Sequence, residues 1–208
     1  MSSFRSVSPG KKGGKWSGKL YFDSDASGKS DDTAGYYITD EKLQVTLKHL
    51  IRTDEKINHV WIYTTPLFKN QWSHVIMYHA YVVMETNTHW WSLEKNSENL
   101  VLQRSKTLEY VKDYCQGKKR NVLKNKSEPE LWKHRESDFS LLQLFQNLWQ
   151  KDELNSNFDL MMRNCQGFAR RIFNSCSISK KKYPIDCFDP SELASKQTEL
   201  KVIPLMGA

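Results

Sequence analysis

The sequence has few cysteines, and their spacing indicates neither a disulfide framework nor a metal site. Cys115, Cys165, Cys176 and Cys187 are scattered over 208 residues, with no CxxC pair and no cysteine–histidine cluster at zinc spacing. This pattern is typical of reduced thiols, so we expect a cytoplasmic location. It implies no metal and no organic cofactor.

Long apolar runs are also missing. A membrane-spanning helix needs about 18 consecutive apolar residues. Even the tract from Val75 to Met84 is interrupted by tyrosine and histidine. The first residues lack the run of about 7 to 15 apolar side chains that a signal peptide requires. The sequence therefore predicts a protein without a transmembrane anchor.

Acidic residues are absent from residues 1–20, and this absence decides how the net charge of +7 is interpreted. That segment holds five of the 31 lysines and arginines, whereas the other 188 residues hold 26 basic and all 24 acidic side chains. The body is therefore close to neutral, whereas a nucleic-acid-binding domain carries a basic stripe on its folded part. We expect no specific nucleic-acid partner and at most a weak attraction of this segment to anionic surfaces.

The composition changes along the chain. Residues 1–35 are rich in Ser, Gly, Lys and Asp, which predicts a flexible basic tail with at most a short strand at 18–22. Residues 36–208 form the predicted domain, in which the 12% of aromatic residues supply a core. The basic runs 118–120 and 180–182 are more typical of solvated loops than of binding sites.

Helical and strand patterns alternate within the predicted domain. The clearest β signal is a hairpin of residues 74–85 and 89–95 with its turn at Asn87-Thr88. Further strands are expected at 59–65 and 100–103, and residues 117–137 are expected to form a loop. Helices are predicted after Asp40, over 107–115, from Asp138, over 165–176 and from Pro190. This order predicts an α+β fold with helices packed on an antiparallel sheet.

Cys165 is the first candidate for chemistry. The apolar residues that follow it, from Phe168 to Cys176, have helical spacing, so Cys165 falls on the buried side of the first helical turn. Unpaired N–H groups and the helix dipole favour the nucleophilic thiolate at that position, and the same groups can stabilise an oxyanion. The alternative interpretation is a small buried hydrophobic residue without a catalytic role.

His79 is the candidate base for Cys165, and its partner follows from the hairpin register. A turn centred on Asn87-Thr88 places His79 opposite Asn96 and Tyr81 opposite Glu94. His79, Glu94 and Asn96 would then share one face of the sheet, where Glu94 can orient the imidazole. A turn one residue longer or shorter would move Glu94 to the other face.

These motifs resemble the circularly permuted papain-like superfamily. That superfamily includes lecithin retinol acyltransferase-like proteins, permuted NlpC-type enzymes and PPPDE-type isopeptidases. Residues 164–168 are similar to their Asn-Cys-x-His-Phe motif, with Gly167 in place of the histidine, and residues 79–83 are similar to their His-x-aliphatic strand. The resemblance spans about residues 74–176 and implies the permuted papain-like fold of cysteine hydrolases.

The resemblance also implies a set of catalytic residues. Cys165 would be the nucleophile, His79 the general base and Glu94 the third polar residue. The 15-residue spacing from His79 to Glu94 exceeds that in many acyltransferase-like members, which leaves Asn96, Ser92 and His89 as substitutes for the third residue. The implied activity is hydrolysis or transfer of an acyl group through a thioester, with peptide, amide or acyl-ester substrates.

Two other functions compete with this hypothesis. One is a catalytically silent member of the same fold that serves as a binding or regulatory module, which predicts an unreactive Cys165. The other is a basic-tailed protein that binds nucleic acid or phospholipid, which predicts binding that weakens steeply with salt. The nearly neutral body argues against the second.

Overall fold

The computed structural model describes residues 20–28, 35–38, 54–68, 78–97, 99–154, 158 and 164–176. The strands are β1 (Leu20–Asp23), β2 (Tyr36–Ile38), β3 (Ile57–Pro66), β4 (Tyr78–Thr86), β5 (Trp90–Lys95), β6 (Leu100–Ser105), β7 (Tyr114–Cys115), β8 (Lys118–Lys119) and β9 (Glu130–Glu136). The helices are α1 (Leu108–Lys112), α2 (Leu141–Gln150) and α3 (Cys165–Ser175).

Seven of the described strands form one sheet in the order β2-β1-β6-β5-β4-β3-β9. Neighbouring strands run antiparallel except for β1 and β6, which are parallel. Strands β7 and β8 form a separate short hairpin. The mixture of a mostly antiparallel sheet with a few helices confirms the predicted α+β class.

The sheet has an apolar core on each face, as expected for strands with alternating side chains. On one face, the sheet packs against helices α2 and α3. On the other face, a smaller cluster lies under α1. The first core includes Val82, Met84, Trp91, Leu93, Leu144, Leu148, Phe168 and Ile172, and the second includes Tyr81, Val83 and Val111.

The central hairpin has the register that its turn predicts. Val82 pairs with Leu93 and Met84 with Trp91, and the Thr86 N–H donates to the His89 carbonyl across the turn. The predicted strand at 59–65 lies within β3, and the predicted strand at 100–103 lies within β6. These elements were predicted because their signals are local: dense β-branched and aromatic residues bounded by turn residues.

The described part of the predicted tail belongs to the sheet. Strand β1 lies between β2 and β6, and Leu20 and Phe22 are fully buried. Ordered structure therefore begins before Tyr36, and residue 35 is not the end of a tail. The short strand predicted at 18–22 corresponds to β1, but its partner was not predicted, because the pairing with β6 joins residues about eighty positions apart.

Residues 117–137 are not one loop, contrary to the prediction. They contain β8 and β9, and β9 pairs antiparallel with β3. Strand β9 is an edge strand with most of its side chains exposed. The charged sequence of β9 is typical of a loop, which explains the wrong prediction. Charged side chains are also common on edge strands, because they prevent pairing with another strand.

The helix predicted over 107–115 ends earlier than expected. Helix α1 stops at Lys112, and Tyr114–Cys115 pairs with Lys118–Lys119 through a two-residue turn. Both turn residues have positive φ, 51° at Gln116 and 71° at Gly117. This conformation is typical of the tight turns that join twisted strands, and glycine adopts it without strain.

Helix α2 begins at Leu141 rather than near Asp138. The Ser140 hydroxyl accepts from the Gln143 N–H at 3.2 Å, and the Gln143 side chain accepts from the Ser140 N–H at 3.0 Å. We expect Ser140→Ala to lower the free energy of unfolding by about 1 kcal/mol, because it leaves an N-terminal N–H group without its cap. Urea denaturation measures this loss, and an unchanged midpoint would show that the cap adds nothing to stability.

Two predicted helices lie outside the described residues. They are the helix after Asp40 and the helix from Pro190. Among the residues that the structure does describe, no helix is long and apolar enough to cross a membrane.

Candidate active site

The first turn of α3 holds Cys165. Asn164 is the N-cap, and its side-chain oxygen accepts from the Gly167 N–H at 2.8 Å. Cys165 follows as the first helical residue and is 8% exposed. The predicted helix over 165–176 is therefore confirmed almost to its ends, and Cys165 lies where unpaired helical N–H groups gather.

The site lies where β4 and β5 stop pairing. Within the described hairpin, the paired residues run from Glu85–Trp90 to Val82–Leu93 and no further. Beyond that point the Cys165 sulfur accepts hydrogen bonds from the backbone N–H groups of Ala80 and Gln166. The first residues of β4 thus face the N-terminus of α3.

A side-chain contact also ties α3 to the start of β4. The Gln166 amide donates to the Tyr78 carbonyl at 3.2 Å. Since Gln166 follows the candidate nucleophile and Tyr78 precedes the candidate base, this bond holds the two segments together.

His79 joins Cys165 to Glu94. The His79 Nε2 and Glu94 Oε2 atoms are 2.6 Å apart, and His79 is also hydrogen-bonded to the Cys165 thiol. Because Nε2 is engaged by the carboxylate, Nδ1 is the ring nitrogen that remains for the sulfur. The structure therefore brings together the three residues that the sequence singled out, although their catalytic role stays a prediction.

The surroundings favour a charged pair of Cys165 and His79. Burial acts to lower the pKa of His79, but hydrogen bonds to Cys165 and Glu94 outweigh it and raise that pKa to about 9. Burial acts to raise the pKa of Cys165, but the hydrogen bond and charge of His79, with the Ala80 and Gln166 N–H groups, bring it below its ordinary value. A lowered thiol pKa beside a raised imidazole pKa is the condition for a thiolate–imidazolium pair.

Arg120 belongs to the site, and the sequence analysis missed it. Its guanidinium donates two hydrogen bonds to Glu94, at 3.0 and 2.7 Å, and lies 3.7 Å from the centre of the Tyr81 ring. Burial acts to raise the pKa of Glu94, but the charge of Arg120 and the hydrogen bond from His79 keep that pKa well below its usual range. The prediction of a solvated loop for residues 118–120 is therefore wrong at Arg120, whose side chain is 5% exposed.

The hairpin of β7 and β8 delivers Arg120 to Glu94. The Arg120 N–H donates to the Asp113 carbonyl at 2.8 Å, and the Tyr81 hydroxyl donates to the Lys112 carbonyl at 2.5 Å. A sequence signal for this hairpin exists in Gln116-Gly117, which is typical of a tight turn. That signal does not predict that Arg120, the residue after the hairpin, contacts Glu94.

The other described cysteines are in a different electrostatic setting. Burial raises the pKa of the Cys115 thiol far above its ordinary value, and the neighbouring Glu94 charge adds to this shift. Burial also raises the pKa of Cys176, to about 12. Among the described cysteines, Cys165 alone has a lowered pKa.

The three substitutes considered for Glu94 make other contacts. Asn96 bonds to Asn99 in the turn between β5 and β6. Ser92 is buried, and its hydroxyl has no hydrogen-bond partner among the described residues. His89 is half-buried, and its Nδ1 atom lies 3.0 Å from the Glu55 carboxylate.

No group of three or more His, Cys, Asp or Glu residues in the described part of the chain could hold a metal ion. Comparisons with known proteins found no match to a family model, a curated protein or a solved structure. Arguments about function therefore depend on the geometry of the site itself.

Proposed function

We propose that the protein is a thiol-dependent hydrolase or acyltransferase that acts on peptide, amide or acyl-ester substrates. The observation that carries this proposal is the chain of contacts from Cys165 to His79 and from His79 to Glu94, with Cys165 at a helix N-terminus. The same three residues match the set implied by the resemblance to the circularly permuted papain-like superfamily. The circularly permuted papain-like fold is part of the proposal.

The proposed reaction has two displacements. The Cys165 thiolate attacks a carbonyl carbon, and backbone N–H groups at the start of α3 stabilise the oxyanion that forms. His79 gives a proton to the leaving group, which departs and leaves an acyl-thioester on Cys165. His79 then takes a proton from the acceptor, which attacks the thioester. Water as acceptor gives hydrolysis, and an amine or alcohol gives transfer.

Glu94 and Arg120 support this cycle without touching the substrate. Glu94 fixes the orientation of the imidazole and balances its charge during both steps. Arg120 holds Glu94 in place through two hydrogen bonds. The buried charges of Glu94 and Arg120 stay paired, because separating them would leave each one buried without a partner, at a high cost in free energy.

One observation favours a binding or regulatory module instead. Cys165 is 8% exposed and the His79 side chain is 15% exposed, so a substrate has little direct access to the sulfur in this conformation. The cytoplasmic location stays a prediction. The attraction of residues 1–20 to anionic surfaces also stays a prediction, since residues 1–19 lie outside the described part of the chain.

The pH dependence of cysteine alkylation distinguishes the two functions. The protein is treated with limiting iodoacetamide between pH 5.5 and 9.5, and mass spectrometry measures the labelling of each cysteine. We expect Cys165 to be labelled well below pH 8, because its pKa lies below the ordinary thiol value, while Cys115 and Cys176 stay unlabelled. Labelling of Cys165 that begins only near pH 9 would overturn the enzymatic proposal.

A further inference from the structure

Tyr81 lies next to the chain of side chains that runs from Arg120 through Glu94 to His79. Tyr81 is fully buried, and the Arg120 guanidinium lies 3.7 Å from the centre of its ring. The His79 ring is nearly parallel to the Tyr81 ring, with an angle of 14° and a centroid distance of 6.3 Å. One aromatic ring therefore neighbours both ends of this chain.

Two backbone carbonyls at the end of α1 anchor the ring and the guanidinium. The Tyr81 hydroxyl donates to the Lys112 carbonyl at 2.5 Å, and the Arg120 N–H donates to the Asp113 carbonyl at 2.8 Å. Since Lys112 and Asp113 are consecutive residues, Tyr81 and Arg120 are fixed to the same point of the backbone. The contact between the ring and the guanidinium is thus held from both sides.

Arg120 has hydrogen-bond acceptors for only part of its guanidinium. The two terminal nitrogens donate to Glu94, at 3.0 and 2.7 Å, whereas the Nε atom is buried without a hydrogen-bond partner among the described residues. A buried charge is costly unless its surroundings compensate it. The negative face of an aromatic ring attracts a guanidinium, most strongly where water is excluded. The Tyr81 ring therefore adds to the stabilisation of a charge that Glu94 compensates only in part.

The Tyr81 hydroxyl is not a candidate for proton transfer near neutral pH. Burial raises the pKa of this hydroxyl far above its ordinary value, although the nearby charge of Arg120 acts in the opposite direction. The hydroxyl proton is also engaged by the Lys112 carbonyl. The contribution of Tyr81 to the site therefore lies in its ring.

We propose that Tyr81 is a positioning residue of the candidate active site, whose ring holds the Arg120 guanidinium on Glu94 and thereby holds Glu94 on His79. This inference rests on the proposed function, because the chain of contacts ends at Cys165. The ring acts through Arg120, and the hydroxyl fixes the ring to the end of α1.

The pH profile of Cys165 alkylation tests the role of the ring. Tyr81→Leu removes the ring, so Arg120 is held less firmly, and a positive charge that moves away from a thiolate stabilises it less. We expect the midpoint of Cys165 labelling to move to higher pH by about 0.3 unit or more. Tyr81→Phe retains the ring, and its midpoint is expected near that of wild type.

Phe22→Leu is the matched control for the loss of a buried ring. Phe22 is also fully buried, but its ring stacks on Trp91 in the core on the other face of the sheet. We expect this variant to keep the wild-type midpoint. A midpoint that is unchanged in Tyr81→Leu, or that moves equally far in Tyr81→Phe and Tyr81→Leu, would overturn the role of the ring.

Heteronuclear NMR of the arginine side chains separates this inference from the proposed function. Two hydrogen bonds to Glu94 restrict rotation of the Arg120 guanidinium, so its terminal N–H groups give separate signals, which Arg120→Lys identifies by removing them. We expect these signals in wild type and in Tyr81→Phe, and their averaging in Tyr81→Leu. Tyr81→Met, whose flexible side chain fills irregular space, replaces Tyr81→Leu if that variant does not fold.

The two measurements fail in different ways. If Cys165 is labelled only near pH 9 but the Arg120 signals follow the expected pattern, the proposed function fails and Tyr81 still positions Arg120. Signals that are averaged already in wild type, or that stay separate when the Tyr81 ring is removed, would contradict the positioning role whatever the reactivity of Cys165.

Discussion

Replacing His79 by alanine is expected to slow the alkylation of Cys165 at pH 6.5 by about tenfold or more. The His79 hydrogen bond and charge are the largest influences that lower the pKa of Cys165, and burial acts in the opposite direction. Without His79, burial dominates, so the pKa of Cys165 rises and the thiolate fraction at pH 6.5 falls. Each unit of rise reduces the thiolate about tenfold, while the remaining thiolate becomes about threefold more nucleophilic.

The measurement is the rate of Cys165 labelling by iodoacetamide at pH 6.5 and pH 9.5 in wild type and variant. We expect the labelling rates of wild type and His79→Ala to differ strongly at pH 6.5. The difference shrinks at pH 9.5, because the thiol then ionises more readily without a neighbouring imidazolium. His59→Ala is a suitable control, because the His59 ring contacts His134 of the edge strand β9, with their Nδ1 and Nε2 atoms 3.2 Å apart. Equal rates in wild type and His79→Ala at pH 6.5 would show that the two side chains are not functionally coupled.

Replacing Arg120 by methionine is expected to act on both stability and reactivity. Removing one partner of a buried ion pair leaves the Glu94 carboxylate uncompensated, which lowers the free energy of unfolding by about 3 to 5 kcal/mol. The loss of the positive charge of Arg120 also disfavours the thiolate form of Cys165, which raises the pKa of that thiol. The midpoint of Cys165 alkylation therefore moves to higher pH, by about half a unit or more.

Urea denaturation and the alkylation profile measure these two effects. Arg120→Lys retains the charge but loses the two-pronged contact, so we expect a midpoint near that of wild type and a smaller loss of stability. Arg104→Met is the matched control, since Arg104 bonds to the Ser24 carbonyl at 2.9 Å and lies over Trp91, away from Glu94. An alkylation midpoint that stays at the wild-type value in Arg120→Met would contradict the assigned role of Arg120.

Local patterns in the sequence account for the central hairpin and the helix of the candidate nucleophile. The turn at Asn87-Thr88 sets the register, and the register places His79 and Glu94 on one face. Asn164 and the apolar stripe from Phe168 to Phe173 set the start and the buried side of α3. Each of these features depends on residues within about fifteen positions of each other, so no knowledge of the rest of the fold was needed.

The tertiary structure alone decided how distant segments meet. The pairing of β1 with β6, and of β9 with β3, joins residues about seventy to eighty positions apart. The sequence predicted a short strand at 18–22 but not its partner, and the charged sequence of β9 is typical of a loop. Arg120 looks like part of a solvated basic run, yet it is buried because the β7–β8 hairpin carries it onto Glu94.

By itself, then, the sequence determined the hairpin and the helix. It singled out Cys165, His79 and Glu94 but left substitutes open for Glu94. The contact of Cys165 with His79 and the presence of Arg120 were decided by packing. The physical reason is that backbone periodicity is encoded in neighbouring residues, whereas the partner of a buried charge is chosen by the fold.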